Sequence, residues 1–337
     1  MRINYTIHDI AKELSIAPST VSRALKDHPR ISEKTRKEIQ AFAKKVNYKQ
    51  NSLASALRSG KSGFIGVCLP TTNRNFFANV IKGIEEVANK RGNSIFITQS
   101  NEDFDLEKKN IDTLIRAGVD GILISVSRNA PDSQYYKDIF EQGTPIFFFD
   151  RSLDETGINQ TVIDDYQAAY QATQHLIDQG YRRIVHFAGL FHTASLYRER
   201  QRGYKQAIYD AGLEADVLFS KLQLNDGKEH MQNLLARDVK PDAIFSASDY
   251  AALGAMMVLK ENNIKIGTEV GLIGFANEPF TEFVDPPLST VDQKAKSIGE
   301  HAVSSLLNYI DAPETYIFGK TVLTPQLIIR SSSIRKK

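Results

Sequence analysis

Within the stretch IAPSTVSRALKDH (residues 16–28), Pro18, Ser19, Ser22 and Arg23 stand at helical spacing and carry side chains suited to one kind of chemistry. Short hydroxyls in the first turn of a helix can hold phosphate oxygens. An arginine one turn further in can reach O6 and N7 of guanine with two hydrogen bonds, a contact that contributes about 1–3 kcal/mol of base discrimination. Pro18 has no side-chain donor, but its ring can pack against a thymine methyl. The competing account of Arg23 is a surface ion pair with Asp27, four residues on. Val21, Ala24 and Leu25 give this helix only a narrow apolar edge, so its outer face is where the sequence has made its choices.

The flanking residues supply elements that would hold such a helix in place. Thr6 is a plausible N-cap for IHDIAKEL, whose Ile7, Ile10, Ala11 and Leu14 share a face. SIA makes a tight turn, and Pro18 suits a first helical turn, where its missing N–H costs nothing. Ser32 can cap a third helix, EKTRKEIQAFAKKVNY, with Ile39, Phe42, Ala43 and Val46 facing inward. Two short helices joined by a three-residue turn and backed by a third describe a helix-turn-helix unit. Charge agrees: residues 1–62 hold 13 Lys and Arg against 5 Asp and Glu, net +8, while the remainder holds 29 against 35, net −6. A basic end on an acidic body points to an anionic partner at that end.

The stretch from Thr6 to Val67 resembles the N-terminal signature of the lactose repressor/galactose repressor family of bacterial transcription regulators. The shared features are TIHDIA, TVSR, S-x-x-T-R, N-Y-x-x-N and A-x-x-L at family spacing. The resemblance runs more loosely over the rest of the chain. It implies that Pro18, Ser19 and Arg23 read major-groove bases, and it extends the DNA-binding set to Thr6, Thr20, Ser22 and Asn51. Ala17 stands where the family usually has a capping serine, which removes a contribution of about 0.5–2 kcal/mol to that helix.

NSLASALRSGKSG (51–63) is a short helix-capable stretch running into Gly and Ser, a linker composition. Its apolar face, Leu53, Ala54, Ala56 and Leu57, is too small to fold alone. The resemblance implies that Leu57 wedges into the minor groove with Ala54 beside it, kinking the duplex. The Gly-Lys-Ser here is not a phosphate loop: the required first glycine falls at Ser55, and the segment precedes a strand instead of following one.

From residue 63, short apolar runs alternate with amphipathic helices, the pattern of parallel-sheet α/β units. The runs FIGVCLP, SIFITQ, GILISV and PIFFFD are followed after residue 160 by a second series, RIVHFAG, AIFSASD and GLIGFAN. Two successive α/β units suggest two lobes around a cleft, and the resemblance implies the fold of periplasmic sugar-binding proteins with three crossings between lobes. Ligands of open α/β sheets sit beyond the strands' carboxyl ends. Residues in that position are Phe76, Phe77, Asp150, Arg151, Asp249 and Asn277, and the resemblance adds Arg200. Carboxylates, an amide and arginines can fork hydrogen bonds to vicinal hydroxyls, and aromatic faces can cover a sugar's C–H surface. Phe77 also suits a core position, Asp249 a helix cap, and Arg198 and Arg202 a solvated face. Ala276 stands where many family members have aspartate or serine, which removes an acceptor for hydroxyls.

Other functions find less support. With 42% hydrophobic and 24% charged residues the chain has the balance of a globular protein, and its length calls for two or three units. Cys68, the one cysteine, cannot form an internal disulfide and reads as a small buried hydrophobe. The polar N-terminus lacks a signal peptide's apolar stretch, and no run reaches the ~18 apolar residues needed to span a membrane, so a cytoplasmic location is expected. The seven histidines show no HExxH or HxH spacing and no GxSxG occurs. His192 and Ser195 have nothing to order a third partner. A transport receptor would share the two lobes but not the basic helical end. The expectation is a non-enzymatic, homodimeric regulator without catalytic residues, metal or cofactor, whose partners are operator DNA and a sugar-like effector. Its fold class is an all-α helix-turn-helix domain (1–50), a hinge helix and linker (51–62), and an α/β two-lobed periplasmic-binding-protein-like effector domain (63–332). Its first lobe is expected over about 63–161 and 291–318, and its second over about 162–290 and 319–332.

Overall fold

A computed structural model describes residues 5–25, 27–48, 61–153, 157–190 and 195–335. The chain divides into two compact units, 1–62 and 63–337.

In the first unit Thr6 and Asp9 form a capping box that opens helix α1 (Ile7–Glu13). Ser15, at φ +54°, turns the chain, and the Ile16 amide returns to the Ala11 carbonyl at 2.9 Å. Helix α2 (Pro18–Leu25) starts on the Ala17 carbonyl, which accepts from the Thr20 and Val21 amides at 2.9 and 3.2 Å. The Ser32 hydroxyl accepts from the Thr35 amide and opens α3 (Glu33–Lys45). The core is Ile10, Ala11, Val21, Ala24, Ile39 and Ala43, with Phe42 partly buried against it. The narrow edge expected of α2 is what is found: only Val21 and Ala24 are buried.

The second unit begins with β1 (Phe64–Leu69), α4 (Asn75–Lys90), β2 (Ser94–Gln99), α5 (Phe104–Arg116), β3 (Gly121–Ile124), α6 (Gln134–Glu141), β4 (Ile146–Phe149) and β5 (Gln160–Ile163). A second series follows: α7 (Asp165–Asp178), β6 (Ile184–Gly189), α8 (Ser195–Asp210), β7 (Asp216–Ser220), α9 (Leu224–Leu235), β8 (Ala243–Ser246), α10 (Asp249–Glu261), β9 (Gly271–Ile273) and β10 (Thr290–Asp292). The chain closes with α11 (Ala295–Asp311), β11 (Lys320–Leu323) and β12 (Gln326–Ile328). One parallel sheet has the order β11-β5-β4-β3-β1-β2 and the other β7-β6-β8-β9, while β10 and β12 pair antiparallel. Strands β3 and β4 are buried at every residue, which is why they read as unbroken apolar runs. Cys68 lies in this core, fully buried, and burial pushes its thiol up to about 12.

The expectation that residues 319–332 belong to the second lobe is corrected by the sheet. Lys320–Leu323 pairs in register with Gln160–Ile163 in the first, and only from β12 onward does the chain lie with the second lobe. Four residues, two polar and then two apolar, carry too weak a signal to reveal which sheet they join. The chain therefore crosses between lobes after β5, after β10 and after β11.

Helix α11 packs on α4 so closely that neither helix tolerates a side chain at the crossing. A Cβ at Gly299 would lie 2.1 Å from the Val80 carbonyl oxygen, and one at Gly83 2.2 Å from that of Lys296. Gly299→Ala is expected to force the helices apart and destabilise the α/β unit by about 1–3 kcal/mol. A lowered urea midpoint with unchanged slope is the measurement that checks it.

Candidate functional site

Two sets of residues stand out, one in each unit. On α2, Ser19 and Arg23 are exposed, and Pro18, Thr20 and Ser22 are half-buried around the buried edge. The ion pair weighed against a DNA role for Arg23 does not form. Asp27 instead accepts from Gln40 Nε2 at 2.9 Å and faces Arg36 Nε at 3.5 Å, and among the described residues Arg23 has no ion-pair partner. Thr6 is engaged by Asp9, its hydroxyl donating to the carboxylate at 2.7 Å. Asn51, Ala54 and Leu57 lie outside the described residues, as does His192.

In the α/β unit a cavity of about 330 Å³ opens where the strands of both sheets end. Phe76 and Phe77, both buried at the start of α4, meet edge to face at 5.1 Å and line it. Asp150 and Arg151 follow β4, and Asp249 follows β8. Arg200 comes from α8, and all four line the cavity too. Asn277 does not. Its amide donates to the Thr290 hydroxyl at 3.1 Å, and its side-chain oxygen accepts from Arg330 at 3.3 Å, so the polypeptide has turned it away. Phe275 and Ala276, the latter at φ +120°, line the wall instead.

The buried charges are held by partners distant in sequence. Arg151 grips Glu102 with two hydrogen bonds of 2.7 and 3.0 Å. Burial pushes the Glu102 carboxyl up, and the Arg151 guanidinium more than offsets this, holding it below the usual carboxylate range. Arg200 Nε donates to Asp165 at 2.8 Å while its guanidinium carbon lies 3.7 Å from the centre of the Phe275 ring. Burial raises the Asp165 carboxyl to about 6 against the pull of Arg200. Asp150 accepts from the Ser125 hydroxyl at 3.3 Å and is raised by burial. Asp249 does not cap α10; Ser248 does. Its oxygens accept from the Thr290 hydroxyl at 2.6 Å and the Glu278 amide at 2.8 Å.

Several contributors carried no signal that the sequence reading used: Arg74, Glu102, Arg128, Tyr197, Gln223, Tyr250 and Glu278 all line the cavity. Arg74 reaches from the first lobe to the second, donating to Gln223 at 2.7 Å and lying 3.7 Å over the Tyr250 ring. Glu102 follows strand β2, and the rule that found Asp150 would have found it there. Among the described residues no cluster of side chains could hold a metal ion, and no helix is long and apolar enough to cross a membrane.

A three-helix unit presenting a recognition-type helix and a bilobal α/β unit with a polar cleft define a ligand-responsive regulator. Residues 6–51 match the bacterial regulatory proteins of the lacI family, and residues 62–325 match the periplasmic binding proteins and sugar-binding domains of that family. The chain belongs to the LacI family of DNA-binding transcription regulators. It is 30% identical over 334 residues to the HTH-type transcriptional regulator DegA of Bacillus subtilis (97% of this chain, 98% of that one). It is 29% identical to catabolite control protein A of Priestia megaterium, over 92% of this chain and 93% of the relative. The Lac repressor dimer bound to operator and the anti-inducer ONPF superimposes with a TM-score of 0.88 over 98% of this chain and 99% of that one, at 23% identity.

Burial lifts the Asp249 carboxyl from its ordinary 3.8 to about 7. The folded protein thus holds this proton more tightly than the unfolded chain, and the associated stability is full at low pH and lost as pH rises through 7. Between about pH 4 and 7, where only the unfolded chain has released this proton, stability is expected to fall by about 1 kcal/mol per pH unit, and above 7 the slope ends. Asp249→Asn, which cannot ionise, is expected to flatten the profile between pH 4 and 7 in denaturant titrations.

Proposed function

We propose that this regulator is a homodimeric repressor in the cytoplasm whose hold on operator DNA is governed by a sugar or sugar derivative bound between its two lobes. The observation that carries the reading is the convergence of Asp150, Arg151, Arg200 and Asp249 with Phe76, Phe77 and Phe275 around one cavity at the strand ends. Its volume of about 330 Å³ is at the small end of ligand-site sizes. Polar groups that can bond hydroxyls stand beside aromatic faces that can cover C–H surface, the two chemistries a sugar presents.

Pro18, Ser19, Thr20, Ser22 and Arg23 then read or grip operator DNA, with Thr6, Asn51, Ala54 and Leu57 contributing from either side. Two copies would set their α2 helices in successive major grooves, about 34–36 Å apart. Residues 51–62 act as a hinge between the DNA-binding and effector domains. Phe96 and Ile97 on edge strand β2, 41% and 44% exposed, offer an apolar surface to a second copy. Effector and operator binding are linked reciprocally, with a coupling of about 1–3 kcal/mol.

Binding of the full chain to a randomised duplex pool tests the DNA half. Selected sites are expected to be near-palindromic, with affinity falling steeply as salt rises. Arg23→Ala is expected to relax preference at one base pair, weakening the favoured base by about 1–3 kcal/mol. Unchanged selectivity removes Arg23 from the reading set. For the cleft, Asp150→Asn is expected to abolish the change in operator affinity that a bound sugar produces, while leaving operator binding itself intact.

A further inference from the structure

Helix α4 begins at the cleft without a side-chain cap of its own: Arg74 precedes it and makes no capping bond. An open helix N-terminus beside a guanidinium is a place where anions bind. Here the second lobe fills it. Glu278, only 4% exposed and lining the same cavity, sets its carboxylate beside the amides of Asn75 and Phe76 and the Arg74 guanidinium, which favour its charge against the burial that disfavours it. It reaches this position from the segment after β9, which also anchors its own amide to Asp249. Arg74 adds its bond to Gln223 and its contact with Tyr250, so three interactions tie the lobes at one point.

The remaining cations of the cavity are engaged by the chain as well. Arg151 and Arg128 both face Glu102, and Arg200 is paired with Asp165. Lys221 is exposed, where solvent screens its charge. What stays open toward a ligand is of another kind. Among the described residues the Asp150 carboxylate takes one hydrogen bond, from the Ser125 hydroxyl, and Arg128 Nε is buried without any. These are an acceptor and a donor for hydroxyls, set among the rings of Phe76, Tyr197 and Phe275.

We propose that Glu278 occupies the cleft's anion-binding position from within, so that the effector is an uncharged polyhydroxylated molecule and its phosphorylated or carboxylated derivatives are rejected. The inference rests on the cleft being the effector site. A phosphate entering at α4 would have to displace a buried carboxylate and stand near Asp150, whereas a neutral sugar leaves both in place. Glu278 is thereby a selectivity residue and a tie between the lobes.

The test is calorimetric and thermal-shift titration of the full chain with neutral mono- and disaccharides, the matching sugar phosphates and uronates, and inorganic phosphate. Any sugar that binds the wild type is expected to bind at least about tenfold more tightly than its phosphate. Glu278→Ala is expected to gain a saturable response to inorganic phosphate or sugar phosphates that the wild type lacks, and Glu278→Gln, which keeps the shape, a smaller one. Circular dichroism establishes that each variant is folded. A wild type that prefers the phosphorylated or carboxylated sugar, or variants that gain no response to any anion, would overturn the assignment. If that preferred anion also alters operator binding, the effector role of the cleft stands and only its neutrality falls. If no cleft ligand affects operator binding, the effector role itself fails.

Discussion

A guanidinium taken out of water must find a carboxylate, and the α/β unit is arranged around that requirement. Arg151 and Arg200 lie almost entirely buried at the carboxyl ends of the two sheets, where Glu102 and Asp165 pair with them. Removing one partner of such a pair leaves an uncompensated charge and typically costs about 3–5 kcal/mol. Each pair also fixes geometry. Glu102 ties the loop after β2 to the end of β4. Asp165 opens α7 just where the chain enters the second lobe, and its bond to Arg200 holds α8 against that entry point. The cleft walls are therefore positioned by the same bonds that keep the charges tolerable, and its ligand meets donors and acceptors set in advance of binding.

The helical unit answers to a different balance. Among the described residues its core is six buried side chains with a rim of half-buried ones, and α2 contributes two of the six. A helix of eight residues cannot hold itself together in water, so α1 and α3 stabilise it through Val21 and Ala24 while Ser19 and Arg23 stay in solvent. Surface that could have been apolar is left polar and basic, in a segment whose net charge is +8. That is the arrangement a phosphate backbone requires, since counterion release provides most of the non-specific affinity.

Much of this was legible beforehand, and the limits have physical causes. The strands buried on both faces, such as Ile146–Phe149, announce themselves because every side chain must be apolar. Gln160–Ile163, Asp216–Ser220 and Lys320–Leu323 do not, since polar residues interrupt them and only the pairing with neighbouring strands marks them as sheet. Asp150, Arg151 and Asp249 were reachable because the first polar residues after a buried run must lie at the sheet's end. The same rule misjudged Asn277: a turn through positive φ at Ala276 and Asn277 carries its side chain to Arg330. Asp249 also lies where that rule put it, at the cavity, and only the fold shows that its oxygens accept from the Thr290 hydroxyl and the Glu278 amide.

The sequence by itself determined local matters: where helices begin, which faces are apolar, that a basic three-helix segment precedes two α/β repeats, and which residues end the buried strands. These follow from the spacing and type of residues within a turn or a strand. Only the tertiary structure decided which charge neutralises which, that Arg74 and Glu278 meet across the cleft, and that β11 returns to the first sheet. Those contacts join residues tens to hundreds of positions apart, and the order of strands in a sheet, not the pattern along the chain, sets their distances.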